Sequence, residues 1–315
     1  MTIQKYEDWM RSQVVALFNL EYKTAEQEFD ELFGLFYELP FQVNNCIRIV
    51  SVEGDRIAGF QSFFYWPVMV NGRLVKSYQS GNSLVHPDFR GQGLFGKMLN
   101  FIHEPSSGFN CELLIGFPVE ASYNSFIRNK WLNPFNLNWY VKPLNPLMSL
   151  VSKPDMQLNR KWPERSSLTF DADSGICHVA QSADFDLYRF KYEKGHFYRF
   201  NWEKDGKKAF FELKAQVRKK VIHELVIGKF LSSHRDETFI LEAFGALIKA
   251  VRKASNFTML SCALNDKDPL LLNTMNKCGF RRIEKSIYFI AKGPVADEIQ
   301  DWSNWWIFRS DIDTW

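Results

Sequence analysis

The sequence predicts an α/β (α+β) protein with two tandem domains, each a mixed, mostly antiparallel sheet flanked by helices. The apolar pattern of the first 145 residues changes from helical spacing to strand alternation and then to a strand–helix–strand unit. The second half repeats that order. Between them, residues 142–166 carry four prolines in a mixed polar sequence, which is typical of a linker. A chain of 315 residues is comfortable for two domains, and we place them at 1–148 and 149–315.

The first half begins with two helical patterns and continues with strands joined by turn signals. Thr24 is the predicted N-cap of the second helix. Asn71-Gly72 is the strongest hairpin signal in the chain, and Gly54-Asp55 is another. The predicted helices cover 5–20, 24–37, 94–103 and 121–131, and the predicted strands cover 47–52, 56–70, 74–85, 111–117 and 137–141.

The second half begins with short extended pieces and then alternates between helical and strand patterns. Its most regular helix lies over 237–253, where apolar residues recur at helical spacing. The predicted helices cover 182–194, 198–203, 237–253 and 269–277, and the predicted strands cover 167–170, 176–180, 209–217, 220–230, 257–263 and 282–291.

Residues 82–99 combine an apolar extended piece, a tight loop and a helix-period run. Gly91 and Gly93 allow the backbone to approach a ligand, the helix N-terminus favours an anion, and Arg90 adds a charge. This assembly suits a pyrophosphate. A Walker loop is excluded because G-x-x-x-x-G-K-[ST] is absent. The dinucleotide fingerprint fits formally with Gly96, but no acidic residue ends a second strand at the required distance. An ordinary strand-to-helix turn with glycine caps is the alternative.

The string V-H-P-D-F-R-G-Q-G-L-F-G-K-M-L, residues 85–99, resembles the acyl-CoA loop of the GCN5-related N-acetyltransferase (GNAT) superfamily. The superfamily pattern is V-x-P-x-[YF]-R-G-x-G-[IL]-[GA], from which Phe95 departs. The resemblance implies acyl-CoA as donor, with its pantetheine arm pairing to backbone where two parallel strands diverge. The residues that it assigns to acyl-CoA are Leu84, Val85, Arg90, Gly91, Gln92, Gly93, Leu94, Phe95, Gly96, Phe117 and Ser122.

The second half carries a weaker resemblance to the same superfamily. PLLLNTMNKCGFRRIEKSIYFI, residues 269–290, is similar to the second GNAT signature, a helix ending in K-x-G-F followed by a strand. YRFNW and SNWWIFRSDIDTW also resemble the second half of tandem members. Since no R-G-x-G loop occurs there, the resemblance implies a domain that has lost acyl-CoA binding and contributes to the acceptor cleft. Plain α/β packing is the alternative.

The implied reaction is attack of a neutral primary amine on a thioester, which needs an oxyanion donor, an acid for the thiolate and a proton acceptor. In the superfamily the oxyanion bonds to a backbone N–H, which maps to Leu84 or Val85. The usual helix tyrosine falls at Phe126 or Ile127, and neither side chain can donate a proton. Tyr123 is the only phenol on that helix and is therefore the candidate acid, with a packing role as the alternative.

The strand before the loop carries no glutamate that could serve as a base. Asn82 and Ser83, together with Ser80, are expected to orient water or substrate, and His86 is expected to be a turn residue. Positioning should then supply most of the rate, because effective molarity is worth roughly 7–11 kcal/mol. Tyr123 should assist by about 10- to 100-fold.

The acceptor is expected to bind against aromatic and basic residues of the second half. GHFYRFNW places His196, Tyr198, Arg199 and Trp202 close together, and they could stack on a ring or hold a phosphate. The strings GFPVEASYNSF and RGQGLFGKML resemble sugar N-acyltransferases of surface-polysaccharide and O-antigen pathways. Those enzymes acylate nucleotide-linked, usually dTDP-linked, amino-deoxysugars with acetyl or 3-hydroxybutyryl-like groups. The alternatives are acylation of a peptide, polyamine or antibiotic amine, and a non-catalytic acyl-CoA-binding protein.

Composition excludes several other classes of function. The net charge is +3 without a long basic run, so no nucleic-acid partner is expected. The five cysteines are widely spaced without a CxxC pair, which predicts reduced thiols in a cytoplasmic protein and no metal. No apolar run reaches about 18 residues, so no membrane segment is expected. We expect a monomer or homodimer that acts on small molecules.

Overall fold

The computed structural model describes residues 1–22, 26–144, 173, 175–192, 196–219, 222–254 and 257–313. Several sequence predictions lie outside these residues and stay predictions. They are the N-cap at Thr24, most of the proline-bearing linker, the domain boundary after residue 148 and the extended piece 167–170.

The described residues form nine α-helices and fourteen strands in an order that follows the sequence prediction closely. The helices are α1 Arg11–Tyr22, α2 Glu26–Phe33, α3 Pro40–Val43, α4 Leu94–Phe101, α5 Glu120–Arg128, α6 Ala183–Tyr192, α7 Glu237–Ala254, α8 Pro269–Lys277 and α9 Pro294–Glu298. The strands are β1 Thr2–Lys5, β2 Ile47–Glu53, β3 Arg56–Tyr65, β4 Val68–Val70, β5 Arg73–Val75, β6 Ser77–Val85, β7 Leu113–Gly116, β8 Leu132–Pro143, β9 His178–Val179, β10 His196–Lys204, β11 Lys207–Arg218, β12 Ile222–Ser232, β13 Met259–Asn265 and β14 Arg281–Lys292.

The predicted fold class, a mixed and mostly antiparallel sheet flanked by helices, is confirmed. Eleven strands form one sheet in the order β1-β2-β3-β6-β7-β14-β8-β13-β12-β11-β10, and β5-β4-β9 form a small second sheet. Among the described strands only two pairs are parallel, β6 with β7 and β12 with β13. Each parallel pair is connected through one α-helix, α4 in the first half and α7 in the second. The two halves therefore repeat one strand–helix–strand unit.

The halves exchange their last strands at the centre of the sheet. β14, from the second half, lies between β7 and β8 of the first half and pairs Ile290 with Gly116. β8 in turn lies between β14 and β13, and pairs Cys262 with Tyr140. The sequence pattern predicted one sheet for each half, whereas the structure joins them. Neither half can complete its sheet without a strand from the other.

Three sequence-predicted elements need correction. The helical pattern over 198–203 lies in β10, because the turn at Asp205 and Gly206, with φ of 52° and 75°, pairs it with β11 as a hairpin. The predicted strand over 56–70 breaks at Pro67, which has no N–H for a ladder and accepts instead from Ala180 N at 2.8 Å. The first predicted helix starts later, because β1 pairs with β2.

The first half of the sheet is covered on both faces. On one face Phe60, Phe64 and Leu84 pack with the apolar stripes of α1 and α2. On the other face Phe63 and Tyr78 pack with α4. Two different helical layers therefore reach β6 from opposite sides. None of the described helices is long and apolar enough to cross a membrane.

Candidate functional site

The loop after β6 presents the N-terminus of α4. Gly91 and Gly93 have φ of 80° and 72°, a left-handed conformation that an L side chain strains. Gly93 is the N-cap, and the first helical bond runs from Lys97 N to Gly93 O at 3.1 Å. The N–H groups of residues 94–96 consequently have no acceptor within the helix. They are donors for an anion at the positive end of the helix dipole.

A cleft of about 890 Å³ opens in front of this helix N-terminus. Most of the sequence-predicted acyl-CoA residues line it: Leu84, Val85, Arg90, Gly91, Gly93, Leu94, Phe95, Gly96 and Ser122, together with Ser83. Gln92 is exposed and Phe117 packs edge-on against Phe289 at 5.5 Å, and neither lines the cleft. Residues that the sequence prediction did not include are Phe89, Lys97, Asn100, Ala121, Ser125, Arg128 and Asn129.

Three cationic side chains, Arg90, Lys97 and Arg128, border this cleft. The Arg90 guanidinium donates from Nε to Val85 O at 3.1 Å and pairs with Glu21 at 2.6 Å. Arg90 is half exposed, so solvent screens that pair and the guanidinium remains near an incoming anion. The sign of the charge around the cleft therefore matches a phosphate ligand.

The parallel strands beside the cleft separate partway along their length. β6 and β7 pair from Ser77 and Leu113 to Ser80 and Gly116, and β6 then continues alone to Val85. We call the point where pairing ends, at Ser80 and Gly116, the branch point. It matches the divergence of two strands that the sequence resemblance implied.

The free edge of β6 offers backbone groups to a ligand. Val85 O accepts from Arg90 on this edge, whereas His86 N donates to Ala58 O of β3. Because successive residues of a strand direct their backbone groups to opposite edges, Ser83 and Val85 face the cleft edge and Leu84 faces β3. Of the two sequence-predicted oxyanion donors, the alternation favours Val85, and it adds Ser83.

A β-bulge reshapes β6 next to the branch point. The register with β3 shifts between the pairs Phe60–Leu84 and Ser62–Gly81. Asn82 and Ser83 of β6 therefore lie opposite a single residue of β3. Asn82 takes up the extra length with φ of 47°.

Hydrogen bonds from neighbouring segments fix the two bulge side chains. Asn82 Nδ2 donates to Tyr37 Oη at 2.8 Å, and Ser83 Oγ donates to Gln61 Oε1 at 2.6 Å. Tyr37 Oη donates to Ser62 Oγ at 3.0 Å, and burial raises the pKa of this phenol, which keeps it protonated. Tyr37 and Gln61 carry no local sequence signal, so the sequence prediction missed them.

A segment from the end of the described chain, residues 302–313, reaches the other face of β6. A methyl group built on Gly81 would come within 2.6 Å of the Phe64 ring and 3.0 Å of Asp313 Oδ2. Phe64 belongs to the face covered by α1 and α2. The Asp313 carboxylate therefore lies at the branch point on the face opposite α4, a position that no local pattern could have indicated.

The candidate acid Tyr123 lies outside the cleft, and Phe126 and His86 have structural roles. Tyr123 Oη donates to Asn133 Oδ1 at 3.0 Å, its ring stacks on Tyr288 at 4.1 Å, and it does not line the cleft. Phe126 is buried with its ring edge-on to Phe95 at 5.2 Å. His86 accepts from Asp88 N at 3.2 Å and caps the turn, as its predicted role as a turn residue requires.

The four predicted acceptor residues do not form one cluster. All lie on β10, where Tyr198 and Trp202 share a face and pack against the core under α7. Arg199 faces the other way, directly opposite Glu212, which in turn lies opposite Lys229. Burial lowers the pKa of Arg199, while Glu212 and Asp186 favour its charged form. His196 begins the strand.

In the part of the second half that the structure describes, no glycine loop like that of residues 86–93 precedes the connecting helix. Only residues 233–236 connect β12 to α7, and they contain no glycine. β12 and β13 pair only as far as Ile227 and Cys262, and the 302–313 segment packs beyond that point. Asn265 Nδ2 donates to Trp305 O at 3.1 Å, and Phe230 packs against Trp306 at 5.2 Å.

Comparison with known proteins identifies the fold. The sequence matches no protein-family model and no curated protein. A GCN5-related N-acetyltransferase from Anabaena variabilis is 10% identical, with a TM-score of 0.63, over 92% of this chain and 72% of that one. A second, from Kribbella flavida, is 11% identical, with a TM-score of 0.57, over 94% and 72%. N-myristoyltransferase of Saccharomyces cerevisiae with bound myristoyl-CoA is 13% identical, with a TM-score of 0.50, over 93% and 84%. The shared property is the GNAT fold.

Proposed function

We propose that this GNAT-fold protein is an acyl-CoA-dependent N-acyltransferase. The observation that carries the proposal is the cleft between the free edge of β6 and the glycine-capped N-terminus of α4. It combines unpaired N–H groups, three cations and an unpaired strand edge, which suit the pyrophosphate and the amide-bearing arm of coenzyme A. The fold is shared with N-acetyltransferases and with a myristoyl-CoA complex, which supports the same donor.

We propose a role for each part of the cleft. The pyrophosphate would bind at the N–H groups of residues 94–96, and the pantetheine arm would pair with the open edge at Val85. From Val85 to Gly81 the strand advances roughly 13 Å, comparable to the length of that arm. The thioester would then lie near the branch point, where Ser83 N–H is the nearest edge donor for the oxyanion.

The acceptor that we propose is the primary amine of a nucleotide-linked, dTDP-type amino-deoxysugar in surface-polysaccharide biosynthesis. This finer assignment rests on the similarity of RGQGLFGKML and GFPVEASYNSF to sugar N-acyltransferases. Asn82 and Ser83, fixed by their hydrogen bonds to Tyr37 and Gln61, would border the amine. Among the four predicted acceptor residues, Arg199 is the one aligned with Lys229. It lies opposite Glu212, and Glu212 lies opposite Lys229.

Calorimetric titration of coenzyme A into the Gly93→Glu variant tests the donor site. The new carboxylate would stand where the pyrophosphate binds, and we expect affinity to fall by at least about 100-fold, since like charges in such a site cost several kcal/mol. Gly206→Glu is the matched control. Gly206 has φ of 75°, close to the 72° of Gly93, and an added methyl group would have no heavy atom within 4 Å at either position. Equal affinity in Gly93→Glu and wild type would contradict the proposal.

A turnover screen tests the acceptor. Acyl-CoAs of increasing length are combined with dTDP-amino sugars, peptides, polyamines and aminoglycosides, and free thiol is measured. Thiol release that depends on an amino sugar supports the full proposal. Release with another amine would retain the acyltransferase and reject the sugar. Tight binding of coenzyme A without release by any amine would indicate a non-catalytic acyl-CoA-binding protein.

A further inference from the structure

We propose that Gln61 is a positioning residue for the reaction, which holds the Ser83 N–H where the oxyanion forms. The inference rests on the proposed N-acyltransferase function and adds the side chain that keeps the open edge of β6 in shape. Gln61 is the single residue of β3 that lies opposite the two bulge residues, Asn82 and Ser83. Its side chain is fully buried.

The Gln61 amide joins the two ends of the bulge. Its Oε1 accepts from Ser83 Oγ at 2.6 Å, and its Nε2 donates to Ser80 Oγ at 3.1 Å and to Ser62 O at 2.6 Å. Ser80 is the last residue of β6 that pairs with β7, and Ser83 is the bulge residue that lines the cleft. These three hydrogen bonds, which we call the Gln61 clamp, therefore span the stretch in which β6 leaves its partner strand.

The Gln61 clamp lies on the coenzyme side of the sheet. Phe63 and Tyr65 of β3 pack on the face covered by α4, whereas Phe60 and Phe64 pack on the opposite face. Because side chains alternate along a strand, Gln61 shares the face of Phe63. The clamp thus supports the bulge from the side on which the thioester would bind.

The backbone of the bulge needs this support because it is irregular. Asn82 has φ of 47°, in the left-handed region that only glycine adopts freely, and the pairing with β7 has ended two residues earlier. A shift of the pairing by one residue would exchange the backbone groups that face the cleft with those that face β3. Ser83 N–H would then point away from the thioester, and the hydrogen bond from Ser83 Oγ to Gln61 opposes that shift.

The clamp should affect the chemical step more than the binding of the donor. An oxyanion donor contributes only when it is fixed before the charge develops, and removal of one such donor costs about 100- to 1,000-fold in kcat. The pyrophosphate would bind at the N–H groups of residues 94–96, which Gln61 does not contact. Loss of the clamp should therefore lower kcat and leave the affinity for coenzyme A largely unchanged.

The test compares Gln61→Met with Gln42→Met. Gln42 is equally buried, and its amide donates to Tyr65 O at 3.1 Å and accepts from Tyr65 N at 3.0 Å, at the end of β3. Both variants lose a buried amide, so both should lower the urea midpoint. With acetyl-CoA and hydroxylamine as probes, Gln61→Met should lower kcat at least about tenfold, while its affinity for coenzyme A changes by less than about threefold. Gln42→Met should keep kcat within about threefold of wild type.

Infrared spectroscopy separates positioning from a general loss of structure. Each variant is bound to a ketone analogue of acetyl-CoA in which a methylene group replaces the thioester sulfur. The carbonyl stretch should lie at lower frequency in wild type and Gln42→Met than in Gln61→Met, because a hydrogen bond from Ser83 N–H weakens the C=O bond. Ser83→Ala removes the same side-chain bond from its other end and should reproduce the Gln61→Met loss. The double variant should lose no more than either single variant, since both act through one hydrogen bond.

Equal kcat losses in Gln61→Met and Gln42→Met would overturn the assignment of Gln61. A coenzyme A affinity that falls in parallel with kcat, or losses that multiply in the double variant with Ser83→Ala, would overturn it as well. If Gln61→Met does not fold, Ser83→Ala alone must show the kcat loss and the frequency change, and their absence refutes the role of Gln61. If wild type neither binds coenzyme A nor accelerates thiol release, the proposed function itself fails and this inference fails with it.

Discussion

Replacing Lys229 by methionine should destabilise the protein strongly. Its ammonium lies 2.7 Å from Asp311, and the two side chains are only 3% and 1% exposed. Asp311 also accepts from Phe308 N at 2.9 Å, so the carboxylate stays in place when the ammonium is removed. Breaking a buried ion pair from one side costs about 3–5 kcal/mol, because the remaining charge stays out of water without a partner.

The chain contains a matched control for this substitution. Lys204 and Glu242 form an ion pair with the same 2.7 Å separation, but their side chains are 46% and 38% exposed. Water solvates either charge when the other is removed, so Lys204→Met should leave the free energy of unfolding nearly unchanged. The two ion pairs have the same separation, so the difference in stability between the two variants measures the effect of burial.

Urea unfolding measures both effects. With a slope of about 3 kcal/mol per molar urea for a chain of this size, Lys229→Met should lower the midpoint by about 1 to 1.7 M. Asp311→Leu added to Lys229→Met should recover part of the loss, because the Asp311 carboxylate is then no longer buried without its partner. Equal midpoints for Lys229→Met and Lys204→Met would refute the reasoning.

Two further outcomes concern the phenol of α5 and the partly buried imidazole of His178. Tyr123→Phe should lower kcat by no more than about tenfold, because its hydroxyl is engaged with Asn133 outside the cleft. A loss above about a thousandfold would establish Tyr123 as the essential acid. Burial lowers the pKa of His178, so the folded state excludes a proton that the unfolded state binds below its ordinary pKa. The free energy of unfolding should therefore decrease as the pH drops from about 6.5, by up to about 1.4 kcal/mol per pH unit. His178→Gln should make the urea midpoint less dependent on pH between about pH 7 and 5. An unchanged pH profile in that variant would contradict the assignment.

Local patterns were sufficient to predict most elements and the loop. The helix over 269–277 has the predicted bounds because Asp268 caps it, accepting from Leu270 N and Leu271 N, and Pro269 fits its first turn. Gly91 and Gly93 were predicted to shape an anion site, and both adopt the left-handed conformation that favours glycine. These features depend on residues that are close together in the sequence, so they can be predicted from it.

Local patterns failed where pairing decided the structure. Residues 198–203 carry aromatic residues at spacings that fit a helix as well as a strand, and only the hairpin with β11 selects the strand. The same alternation separates Arg199 from Tyr198 and Trp202, which the sequence had placed in one cluster. Which face a side chain occupies depends on a partner strand, and proximity along the chain does not provide that information.

The sequence by itself determined the fold class, the repeated strand–helix–strand unit and the glycine loop before α4, because each follows from periodicity, capping and backbone freedom over short stretches. Only the tertiary structure decided that β8 and β14 exchange between the halves and that Asp313 lies beside Gly81. The physical reason is that these contacts join segments far apart in the chain. They are selected by the burial of whole faces and by the pairing of buried charges such as Lys229 and Asp311.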